Sequence, residues 1–146
     1  MMDARFVGLW RLVSCTALKQ NGVRVPIYGR DPEGRLYYDQ QGNMAVQIMK
    51  RRRPRFPNSR EGGGSSEDKQ IAYEGYQAYF SRCSVEPQKG LIHHEVIGSL
   101  FPNWTGTVQT RYFAFEGENR LILSSHPIGT MKDSRAIVDL VWERGV

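Results

Sequence analysis

The stretch Phe6-Val7-Gly8-Leu9-Trp10-Arg11-Leu12-Val13-Ser14 decides how the rest of the chain is read. It alternates like a β-strand and carries a glycine two residues before a tryptophan. A glycine at a strand entrance lets backbone approach closely, and the indole fills the volume that this permits. At the far end, Leu140-Val141-Trp142-Glu143-Arg144 reads as a closing strand. If the first and last strands pair, the sheet has no free edge, and Arg144 or Arg11 can stack on an indole face.

Working inward, Leu9 to Leu18 alternates, with Trp10, Leu12, Ser14, Thr16 and Leu18 predicted on one face. Asn21-Gly22 is a hairpin signal, with a short return strand over Val23 to Ile27. Arg35 to Asp39 and Met44 to Met49 form the next hairpin. Its apolar face, Leu36, Tyr38, Met44, Val46 and Ile48, belongs inside. Residues 50–69 turn basic and then Gly/Ser-rich, which reads as a loop. Ser65 with Asp68 fits a capping box for a helix, and Ala72, Tyr76 and Tyr79 fall on one stripe of it. Strands resume with Ser81 to Glu86, Leu91 to Gly98, Thr107 to Glu116, Arg120 to Ser125 and Ala136 to Arg144, with a loop over His126 to Ser134. Short strands at even spacing predict a barrel or sandwich, and the 50–80 insertion reads as a loop plus lid helix over its mouth.

Several further runs carry a likeness: Met44-Ala45-Val46-Gln47-Ile48-Met49 leading to Arg53-Pro54-Arg55-Phe56, Glu74 to Phe80, His93 to Trp104, and Leu140 to Arg144. With Gly8-x-Trp10 and Arg144, the sequence resembles the small bacterial and fungal lipocalin-like domain proteins over nearly its whole length. The resemblance implies an all-β, antiparallel up-and-down barrel of about eight strands, one domain over residues 1–146, closed around an apolar pocket. It implies no single reaction, although some barrels of this broad kind serve biosynthetic pathways as cyclases or isomerases.

Composition is compatible. The chain has 146 residues, 40% hydrophobic and 24% charged, as expected for one globular core. No apolar run approaches the ~20 residues of a membrane span. The start, Met1-Met2-Asp3-Ala4-Arg5, has no apolar stretch behind a basic one, which points to the cytoplasm. Cys15 and Cys83 sit in strand patterns and read as reduced, buried thiols. The formal charge is +5, and Lys50-Arg51-Arg52-Arg53-Pro54-Arg55-Phe56 is the densest cationic run. A nucleic-acid-binding barrel is the weaker reading, because only Phe56 accompanies those cations where single-strand readers interleave aromatics. A ligand-steering rim is the simpler one. A homodimer stays open.

Alternation sends His94, with Val85, Ile92 and Val96, to one face. Gln109, Arg111, Phe113 and Phe115 share another inward face, with Leu121, Leu123, Leu140 and Trp142 completing the wall. A slip of one residue would exchange His94 for His93 and Glu95. In this register His94, Arg111 and Tyr38 are polar heads on apolar walls and the candidate catalytic groups. Arg111 either orients a carbonyl or acidic ligand end, or pairs with an internal Glu or carbonyls. His94 is either a general acid/base or a hydrogen-bonded core histidine. His93 and His94 point apart, so no metal site is expected. Candidate ligand contacts are Trp10, Met44, Tyr76, Tyr79, Phe101, Asn103, Trp104, Phe113 and Trp142. Trp104 serves as a rim or a plug, and the tyrosines line the entrance or simply pack. No motif calls for a cofactor. The leading expectation is binding of a small, largely apolar molecule; the alternative is a cofactor-independent cyclase or isomerase on a polyketide- or terpene-type intermediate.

Overall fold

The opening strand β1 (Gly8–Leu18) is long enough to have three partners. One side pairs with β3 (Glu33–Tyr38) at its start and with the short β2 (Arg24–Pro26) at its end. The other side runs along β9 (Ile137–Arg144), from Trp10↔Arg144 to Leu18↔Ile137. From β3 the sheet proceeds antiparallel, neighbour to neighbour, through β4 (Asn43–Met49), β5 (Tyr76–Glu86), β6 (Leu91–Ser99), β7 (Val108–Glu116) and β8 (Arg120–Ser124) to β9. The result, a computed structural model describing residues 2–128 and 137–145, is a closed eight-stranded barrel with β2 as an extra strand. Of the loop expected over His126 to Ser134, residues 129–134 lie outside the described ones, as does Ala136.

The seam explains the glycine. The Arg144 guanidinium lies 4.2 Å from the centroid of the Trp10 ring. It also donates to the carbonyls of Val7 and Arg5, each at 2.8 Å. Gly8 has φ of 126°, and a Cβ there would meet Arg144 Nη1 at 3.1 Å. Trp10 Nε1 donates to the Phe6 carbonyl at 2.8 Å. Phe6, fully buried, meets the rings of Tyr38, Phe113 and Phe115 edge-on, with centroids 5.0–5.4 Å apart. This aromatic cluster fills one end of the barrel.

Two local expectations change. β1 does not alternate unbroken: its register against β9 shifts between Leu12 and Ser14. The extra residue of a bulge turns the faces over. Trp10, Leu12 and then Cys15 are buried in the core, while Ser14, Thr16 and Leu18 line a groove on the outside.

The capping box at Ser65 and Asp68 forms as expected, and α1 (Ser66–Glu74) follows it. The helix ends at Gly75, so Tyr73 is on it but Tyr76 and Tyr79 are not. β5 begins at Tyr76 and pairs residue by residue with β4, from Met49↔Tyr76 to Asn43↔Arg82. The unpaired edge of β4, together with the β-favouring Tyr-Gln-Ala-Tyr-Phe run, overrides the chance helical spacing. Arg51 ties the basic run to Glu33 at 2.8 Å, and Arg53 donates to the Ala72 carbonyl of α1 at 2.9 Å.

Replacing Gly8 by alanine should lower unfolding free energy in urea by about 1–3 kcal/mol, the usual cost of a strained backbone region. Wild-type stability in that variant would contradict the packing described for the seam.

Candidate functional site

At the end opposite the Phe6 cluster the barrel is hollow. A cavity of about 280 Å³ opens between the ends of the strands and the β2–β3 loop. Its wall is apolar in the main: Leu36, Met44, Val46, Ile48, Leu123, Leu140 and Trp142. These are the inward positions of β3, β4, β8 and β9. No carboxylate lines it among the described residues.

The polar groups are few and joined. Ile92, His94 and Val96 are the buried positions of β6, and Cα pairing sets His94 opposite Cys83 and Gln109. His94 is therefore inside, whereas His93 reaches outward to Thr110 Oγ1 and Glu86. Both ring nitrogens of His94 are met by tyrosine hydroxyls. Tyr38 Oη lies 2.8 Å from Nε2 and Tyr79 Oη 3.0 Å from Nδ1. Burial, reinforced by the positive Arg111 nearby, pushes the His94 pKa down to about 3. At neutral pH the ring is thus uncharged, with one N–H and one acceptor nitrogen. Burial likewise raises Tyr79 to about 12 and Tyr38 well above the ordinary phenol value, so both hydroxyls keep their protons.

Arg111, from β7, lines the same cavity. It donates to the Thr110 carbonyl at 2.9 Å and lies 3.4 Å from Gln109 Oε1. Among the described residues no carboxylate pairs with it. A half-buried guanidinium held only by neutral acceptors retains donors for a ligand. The Trp142 indole nitrogen is buried and has no hydrogen-bond partner among the described residues. A buried donor left in that state costs about 1–3 kcal/mol.

Of the sequence-predicted ligand contacts, Met44, Tyr79, Trp104 and Trp142 line the cavity. Trp104 caps one side of the mouth, its ring perpendicular to Tyr79 at 5.7 Å. Trp10 and Phe113 belong to the packed end instead. Phe101 and Asn103 are exposed, with Phe101 stacked edge-on against Trp104 from outside. Tyr76 sits on the outer barrel face, bonded to Gln47 and covered by Arg53. Tyr38 does not line the cavity and meets His94, which does.

Sequence reasoning missed Cys15, Ile27, Tyr28, Gln77, Ser125 and Val138, which complete the lining. Cys15 enters because of the β1 bulge. Ile27-Tyr28 could have been noticed as an apolar pair in an otherwise polar connection. Both cysteines are free thiols, and burial raises them to about 12 for Cys15 and about 11 for Cys83.

The depressed His94 pKa has a signed consequence. Between about pH 6.5 and pH 3 the unfolded chain binds a proton at this residue that the folded chain refuses. Stability from this site is therefore complete above pH 6.5 and is lost as pH falls. Urea unfolding of the wild type should weaken between pH 6.5 and 5 with a slope reaching about 1.4 kcal/mol per pH unit from this group. In His94→Gln that component should vanish; an unchanged slope would mean that His94 protonates freely in the fold.

A 4'-hydroxy-3'-methoxypropiophenone carrier protein of Aspergillus oryzae, ppsC, is 30% identical over 91 residues, covering 58% of this chain and 82% of its own. Residues 7–145 match the model of the lipocalin-like domain, which spans the whole barrel from before Gly8 to past Arg144. The chain belongs to the lipocalin-like domain family.

Proposed function

We propose that this protein binds one small, largely apolar, aromatic molecule inside the barrel and acts as its carrier. The observation that carries this reading is the cavity itself: apolar walls with His94, Tyr79 and Arg111 gathered on one side. At about 280 Å³ it lies just below the roughly 300–1,000 Å³ typical of ligand pockets, fitting one or two rings rather than a lipid. Trp104, Tyr79 and Trp142 offer aromatic faces for such a guest. The likeness to a carrier of a methoxylated aryl ketone supports the same size and class.

A cofactor-free cyclase or isomerase would use the same residues, with Tyr79, His94 and Arg111 setting the geometry of a reactive intermediate. The chain of hydrogen bonds beside the cavity favours that reading. The pKa of His94, about 3, weighs against it, because so weak a base takes up protons poorly at neutral pH. Binding is therefore the better supported of the two. The protein's place in the cytoplasm belongs to the same proposal; among the described residues no helix is long and apolar enough to cross a membrane.

The test is displacement of an apolar fluorescent probe by 4'-hydroxy-3'-methoxypropiophenone, followed by mass analysis of the recovered compound. Saturable displacement with the compound unaltered is expected, and Ile48→Trp, which fills the cavity wall, should weaken binding tenfold or more. No displacement by the wild type, or equal affinity in the filled variant, would sink the carrier reading; an altered compound would favour the enzyme.

A further inference from the structure

The Tyr38–His94–Tyr79 chain has a direction, and the direction selects the ligand's head group. A neutral imidazole donates from one nitrogen and accepts at the other, so two arrangements exist. If Nε2 carried the proton, it would donate to Tyr38 Oη and Nδ1 would accept from Tyr79. The Tyr38 hydroxyl proton would then need another acceptor. Tyr38 is fully buried, and His94 Nε2 is its one hydrogen-bond partner among the described residues. That arrangement strands a donor where water does not reach, which folded proteins avoid. In the other arrangement Tyr38 donates to Nε2, and Nδ1–H donates to Tyr79 Oη. The proton left over is then that of Tyr79, whose ring lines the cavity.

The rest of the wall is weighted toward donors. Arg111 offers only donors. Gln77 Oε1 accepts from the Ala78 amide at 2.9 Å, and its NH2 group adds two donors. Ser125 Oγ accepts from the Val138 amide at 2.9 Å and lies 3.0 Å from His126 Nδ1, so its hydroxyl is engaged on two sides. The Trp142 indole N–H, in the same wall, has no partner among the described residues.

Resting on the binding reading above, we infer that Tyr38 and His94 fix Tyr79 as a hydrogen-bond donor into the cavity, so that with Arg111 it selects a guest whose head is a carbonyl oxygen. Tyr79 and Arg111 touch the guest; Tyr38 and His94 act through Tyr79 as positioning residues. A ketone, aldehyde or carboxylate is received there, and a cationic amine is disfavoured by the Arg111 charge.

Two measurements on the full chain test this. Propiophenone and propylbenzene differ only in the carbonyl oxygen, and both are small enough to serve as probes. Ligand-observed NMR titration should give about tenfold tighter binding for the ketone, the size of one net hydrogen bond. In Tyr79→Phe that gap should narrow at least threefold, Arg111 keeping the remainder, and saturable propylbenzene binding in the variant shows that the cavity is intact. Independently, nitrogen-15 spectra of labelled histidine should show His94 as the Nδ1–H form in the free protein at neutral pH. Equal affinity for the two probes, a gap undiminished in Tyr79→Phe, or an Nε2–H ring would overturn the inference while leaving the cavity as a binding site. Failure of both compounds to bind would overturn the binding reading and the inference with it.

Discussion

Everything in this barrel depends on the seam where its first strand meets its last. Eight twisted strands close only if β1 and β9 hydrogen-bond over most of their length, and that requires their shared end to be locked. Arg144 supplies the lock. It lies flat on the Trp10 indole and reaches past Gly8 to two carbonyls of the entering chain. A cation held over a desolvated indole contributes on the order of 2 kcal/mol. Gly8 is needed because a side chain would occupy the guanidinium's place. Behind the lock, Phe6 draws the chain start across the barrel end and seats Tyr38, Phe113 and Phe115 around itself. An eight-stranded barrel is just wide enough to be filled by its own side chains or to hold one small molecule. This one does both, solid at the Phe6 end and hollow at the other.

The hollow half sets the electrical character of the site. Three titratable rings lie where water has little access, and each responds by staying neutral. His94 loses basicity; Tyr38 and Tyr79 lose acidity. Such a chain transmits orientation better than charge. Tyr38, deep in the wall, fixes the imidazole, and the imidazole fixes Tyr79 at the cavity surface. Arg111 has no carboxylate partner among the described residues, so its guanidinium gives the cavity a positive bias on one side. A guest with an apolar body and an electron-rich end complements both features.

Much of this was legible in the sequence, because period-two alternation survives wherever one face is buried. Leu36, Tyr38, Met44, Val46 and Ile48 read as an inner face and are one. Ile92-x-His94-x-Val96 put the histidine inside, and Trp10 with Arg144 announced the closure. What could not be read was any place where the period breaks. The bulge after Leu12 inverts the second half of β1, and no residue type there signals it. Tyr76 and Tyr79 mimic a helical stripe, yet β4 needed a partner and Gly75 ended the helix first. The link from Tyr79 to His94 spans two strands and a register irregularity between Phe80 and Ser81, so composition alone could not reveal it.

The most direct test is a crystal structure of the protein grown with a small aryl ketone. Density for the ring is predicted in the hollow half, between Trp104 and Trp142, with its oxygen at hydrogen-bond distance from Tyr79 Oη. Density for the ketone only in the outer groove beside Ser14 and Thr16, or a hollow closed by its own side chains, would contradict the assignment of the cavity as the site of binding.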